Sequence, residues 1–211
     1  WPSGLSGCRP TGKIVVVIAL RCAILICLIA TTHVEASPLV KRRNETYQVT
    51  GSSVHDLRQM INRDGPTNSD DGKRYDGLTE WSLTWDYQLK RRGKVWIVVN
   101  RTVLLDIKVL TPRWTDFQTA PGILRTQWQV YRANLLRHEE GHVRVALRAA
   151  NAVDKYLGTC GASSSMEKLR NDIQKNTRAL LKQYRKIDRS YDQRTRHGAT
   201  QGATLAKGHE D

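Results

Sequence analysis

Residues 124–157, LRTQWQVYRANLLRHEEGHVRVALRAANAVDKYL, decide how the fold is read. Steps of three and four pick out Leu124, Trp128, Tyr131, Leu135, His138, His142, Val145, Ala149, Ala152 and Tyr156. One continuous, mostly apolar stripe at that period marks an amphipathic helix with its stripe against a core. Pro121 suits the helix start, and Gly158 and Gly161 stop it near Leu157. Both histidines lie on the stripe and therefore face inward. They frame His138-Glu139-Glu140-Gly141-His142, an H-E-x-x-H sequence. On a helix, residues four apart share a face about 6 Å apart along the axis, a spacing at which two imidazoles can bind one zinc ion. Glu139 is turned away from that face, so it is the candidate general base for a zinc-held water. The metzincin extension is absent: Val145 and Arg148 stand where its glycine and third histidine would be. The remaining ligand must come from elsewhere in the chain.

The elements upstream predict a small antiparallel sheet. Glu45–Thr50 reads as a short strand, and Ser53 caps a helix with Val54, Leu57 and Ile61 on one face, ended by Gly65-Pro66. Residues 68–76 are polar and read as a loop. From Thr79 to Leu89 the odd positions are Thr79, Trp81, Leu83, Trp85, Tyr87 and Leu89, alternating with polar neighbours, as in a half-buried strand. The tryptophans at 81 and 85 read as sheet-face packing. A turn at Arg91–Lys94 leads to a second strand or strand pair over Val95–Leu110, which Thr111-Pro112 ends.

Beyond the long helix, Ser164-x-x-Glu167 has the form of a capping box. The helix it opens carries Met166, Leu169, Ile173, Leu180, Tyr184, Ile187 and Tyr191 on its apolar side. A short connection makes the two helices an antiparallel hairpin. The expected class is therefore α+β, a small antiparallel sheet packed with a helical hairpin that includes a zincin-like metal helix.

The hairpin sets His138 and His142 opposite the region Leu180 to Arg185, where the apolar side offers no histidine or carboxylate. Just past it runs Tyr191-Asp192-Gln193-Arg194-Thr195-Arg196-His197-Gly198. Six extended residues span roughly 20 Å, enough to bring His197 back to the metal. His197 is the leading third ligand. Asp192 is second, with the alternative of orienting a histidine from behind. Asp154 lies three turns along the metal helix, and Glu167 lies near the hairpin turn, far from both histidines. Tyr191 or Tyr131 is the candidate to steady an oxyanion.

The first 36 residues differ from the rest. Arg9 and Lys13 precede apolar runs at 14–20 and 22–30, split by Arg21, and Val34-Glu35-Ala36 offers small residues for a signal peptidase. The expectation is an export signal cleaved after Ala36 rather than a membrane anchor, followed by one domain over 37–198 and a flexible tail over 199–211. Cleavage would remove Cys8, Cys22 and Cys27, leaving Cys160 without an internal partner. Arg9, Lys13 and Arg21 against Glu35 amount to a net +2, so the formal charge falls from +14 to +12. Such a charge favours anionic partners such as an envelope surface. The basic residues are scattered and lack an RNA-binding aromatic motif, which argues against nucleic acid as the partner.

Tyr47-Gln-Val-Thr-Gly51 with Leu57-Arg58 and Gly65-Pro66, Thr79-Glu-Trp81 with Trp85, His138-Glu-Glu-Gly-His142, and Tyr191-Asp-x-x-Thr195-x-His197-Gly198 occur in order along the chain. In these motifs the chain resembles a bacterial family of uncharacterised exported proteins described as predicted secreted zinc-dependent proteases. The resemblance spans residues 45–198 and implies export, one zinc ion and peptidase activity on a protein or peptide substrate. Relatives tend to carry a sheet cysteine able to pair with one after the long helix, a partner that Cys160 lacks here. The residues themselves also admit a non-enzymatic, zinc-stabilised binding domain, or a cationic binding module.

Overall fold

A computed structural model describes residues 37–69 and 71–205. The leader-like segment 1–36, with its three cysteines, and residues 206–211, with His209, lie outside the described residues. The elements run β1 (Leu39–Val49), α1 (Val54–Asp64), β2 (Leu78–Arg92), β3 (Val95–Trp114), α2 (Gly122–Thr159), α3 (Met166–Thr195) and a 3-10 turn (Ala199–Gln201). The fold is α+β, a three-stranded sheet packed against two long helices.

β2 and β3 form the expected antiparallel hairpin, and Gly93 turns it in the left-handed region at φ 59°. β1 instead pairs parallel to β3, on the side away from β2, so the sheet is mixed in the order β1-β3-β2. β1 begins six residues before the expected Glu45. Its outer part is exposed, with salt bridges from Arg43 to Asp106 and from Lys108 to Glu45. Pro112 does not end β3, which runs on to Trp114. β2 stops pairing at Leu110, and only β1 continues alongside, so a proline at 112 removes no bond to β2.

α1 starts as read: Ser53 Oγ accepts from the Asp56 N–H at 3.1 Å, and Leu57 and Ile61 are buried. The cap of α3 is Ser165 rather than Ser164, with its hydroxyl accepting from the Lys168 N–H. α2 buries Leu124, Trp128, Tyr131, Leu135, His138, His142, Val145 and Ala149 from its stripe. Beyond Val145 the buried face widens to include Ala146, Ala150, Val153 and Leu157, small and apolar residues that let the helix lie close on the sheet.

Two apolar clusters result. One joins Trp81, Val103, Leu105, Ile107 and Val109 of the sheet to the second half of α2 and to Leu169 and Ile173 of α3. The other joins Val49, Leu57, Ile61, Trp114 and the first half of α2, from Leu124 to Leu135. Ala203 and Leu205 are buried in the second cluster, so residues 199–205 are part of the fold rather than a flexible tail. The H-E-x-x-H segment occupies the stretch of α2 between Leu135 of one cluster and Val143 of the other.

Candidate metal centre

α2 buries His138, Glu139 and His142, which are 3 %, 3 % and 6 % exposed. Each imidazole is held from behind. His142 Nδ1 donates to Asp188 Oδ1 at 2.7 Å, and Asp188 Oδ2 accepts from Trp81 Nε1 at 2.9 Å. His138 Nδ1 lies 3.0 Å from Gln201 Oε1, and the Tyr191 ring stacks on His138 at 5.1 Å between centroids. With both Nδ1 atoms so engaged, the Nε2 atoms turn toward one another at 3.3 Å. Asp192 Oδ1 completes the triangle, 3.0 Å from His142 Nε2 and 3.2 Å from His138 Nε2. Imidazole nitrogens whose other nitrogen donates to an oxygen present a lone pair on the free side. Three electron-rich atoms around one point call for a positive charge. Burial opposes charge on His142, but its bonds to Asp188 and Asp192 outweigh burial and lift its pKa to about 10. Burial pushes Asp192 up, and the two imidazoles more than reverse this, holding its carboxyl well below the usual range. His138, His142 and Asp192 could therefore hold a metal ion.

The Tyr191–Gly198 motif is explained part by part. α3 runs through to Thr195, so Tyr191 and Asp192 are helical rather than part of a returning loop. Gly141 lets Tyr191 cross α2, because a Cβ at 141 would fall on the phenol ring. The Tyr191 hydroxyl donates to the His138 carbonyl at 3.2 Å, and the Tyr131 hydroxyl donates to Asp76 at 2.8 Å. Tyr131 thus has its partner away from the metal group, whereas Tyr191 is bonded to His138 within it. Arg196, His197 and Gly198 are successive left-handed residues at φ 48°, 50° and 84°. At Gly198 a side chain would meet His138 at 3.0 Å. His197 follows the end of α3, half-exposed, with Nδ1 3.5 Å from Asp192 Oδ1 and its ring 4.4 Å from that of Tyr75. Asp192, second in the sequence reading, is the residue whose oxygen stands beside both imidazoles, and His197 stands behind it. Asp154 pairs with Arg101 at 2.9 Å, away from the triad.

Glu139 points to the start of β2. Its Oε2 accepts from Thr79 Oγ1 at 2.6 Å. Burial raises its pKa and the Thr79 bond opposes this. A cleft of about 450 Å³ runs past this group, lined by Thr79, Glu139, His142, Asp192 and His197 among others.

A family described as bacterial protein of unknown function, DUF922, matches residues 44–198. The chain belongs to this family. No curated protein and no solved structure matches it. The family match covers β1 from Asn44 through the whole H-E-x-x-H helix to Gly198, and so includes every residue of the triad. Asp188 was not singled out by the sequence reading. Its signal was present: Asp188 and Asp192 repeat on α3 the four-residue spacing of His138 and His142 on α2. Among the described residues, no helix is long and apolar enough to cross a membrane.

Proposed function

We propose that the protein is a zinc-dependent peptidase, exported across the cytoplasmic membrane, in which His138, His142 and Asp192 hold one zinc ion and Glu139 is the general base. One observation carries this reading. Ligands at zinc's usual bond length of about 2.0–2.1 Å stand about 3.3 Å apart on a tetrahedron, and the three donor separations are 3.0, 3.2 and 3.3 Å. Two imidazoles and one carboxylate, with a cleft on the open side, match the donor set of catalytic rather than structural zinc sites. Zinc bound there would act as a Lewis acid, acidifying water and polarising a carbonyl.

The chain's own groups supply the rest. Glu139 takes a proton from the water that attacks the amide carbon and returns it to the leaving nitrogen as the C–N bond breaks. Thr79 orients the buried Glu139. Asp188 and Gln201 hold the two imidazoles in place. The net positive charge of the chain supports residence near an anionic envelope surface.

Zinc content and peptide hydrolysis measured together test the reading. Glu139→Gln should keep one zinc per chain and lose about 10²–10⁴-fold in turnover. Loss of both, or of neither, contradicts it. A closed structural site is the second reading, in which His197, with Nδ1 3.5 Å from Asp192 Oδ1 but outside the group of three donors, would have to move in as the fourth ligand. It predicts four protein ligands and no hydrolysis by the zinc-loaded wild type.

A further inference from the structure

Tyr47, Arg58 and Asp76 take no part in the metal group, yet they meet at its edge. The Arg58 guanidinium donates to both oxygens of Asp76, at 2.7 and 2.6 Å. Tyr131 Oη donates to Oδ2 of the same carboxylate at 2.8 Å, and Tyr47 Oη donates to the Asp76 backbone carbonyl at 2.8 Å. These partners come from α1, α2 and β1, so three elements grip one residue in the connection between α1 and β2. The residues that follow Asp76 touch the base. A Cβ at Gly77 would lie 2.7 Å from Glu139 Oε1 and 3.2 Å from Leu135 Cδ1, so a larger residue here would push the base aside. Thr79 Oγ1 meets the other oxygen at 2.6 Å. Tyr131 stands on α2 eight residues before Glu139, about two turns, which ties the helix bearing the base to the same grip.

We infer that Asp76 is a positioning residue for Glu139: the bonds from Arg58, Tyr131 and Tyr47 fix the backbone at 76–79, where Thr79 bonds one oxygen of the base and Gly77 packs closely beside the other. This rests on the reading of Glu139 as the general base. A base displaced by about 1 Å loses up to a hundredfold in rate with little change in substrate binding. The grip is fully hydrogen-bonded, which is the condition under which a partly buried polar network fixes one geometry.

The test is Asp76→Asn in the full-length, zinc-loaded protein. We expect kcat to fall about ten- to a hundredfold, KM to stay within about twofold, and zinc to remain at one per chain. In a Glu139→Gln background the same substitution should change the residual rate by less than about twofold, because its effect passes through the base. A crystal structure of Asp76→Asn should show Glu139 shifted off Thr79. Unchanged kcat, or an equal loss in the Glu139→Gln background, overturns the inference. If Asp76→Asn does not fold, Tyr47→Phe and Tyr131→Phe carry the test, each expected to lower kcat about threefold or more only while Glu139 is present. Should the zinc-loaded wild type hydrolyse nothing, the peptidase reading fails, and the position of Glu139 in the variant crystals still decides the grip.

Discussion

Gly141 shows how closely single residues set the site. Helix propensity favours alanine over glycine by about 1 kcal/mol, yet a Cβ at 141 would strike the Tyr191 ring that stacks on His138. Gly141→Ala should therefore destabilise the protein by about 1–3 kcal/mol despite the better helix former. Chemical denaturation checks this, and a stabilised variant would show that the two helices are free to separate. His138, Glu139 and His142 were legible in the sequence because their spacing is local to one helix. The order of His197 and Asp192 was not legible, because it depends on where α3 ends. With Thr195 still helical, Asp192 lies one turn past Asp188 on the face toward α2, and His197 falls beyond the left-handed cap. The fold bonds the Tyr191 hydroxyl to the His138 carbonyl and the Tyr131 hydroxyl to Asp76.

At the scale of elements, the strong periodicities read true. On β2 the marked positions are the less exposed ones, with Trp81 buried, and the α2 stripe is buried from Leu124 to Ala149. The direction of β1 was hidden, because pairing with β3 is non-local and the basic, exposed residues 41–43 carry no alternation. In the cluster that joins the sheet to α2 and α3, Ile173 is fully buried, together with Ala149, Ala150, Val153 and Leu169. Ile173→Ala should cost about 2–5 kcal/mol, read as a lowered denaturation midpoint, while the folded fraction keeps its metal. Loss of metal binding from protein that remains folded would mean that the Ile173 end of the hairpin and the site move together.

Across the whole molecule, the triad sits where the two apolar clusters meet, between Leu135 and Val143 on α2 and opposite the last turns of α3. A bound metal would tie the end of α3 to the middle of α2, and the buried residues Ala203 and Leu205 carry the chain from that junction into the second cluster. The most direct test is metal stoichiometry by elemental analysis of the purified full-length wild type, Asp192→Ala and His197→Ala. One zinc per chain is expected in the wild type and in His197→Ala, and none in Asp192→Ala. Zinc retained without Asp192 and lost without His197 would contradict the assignment of Asp192 as the third ligand.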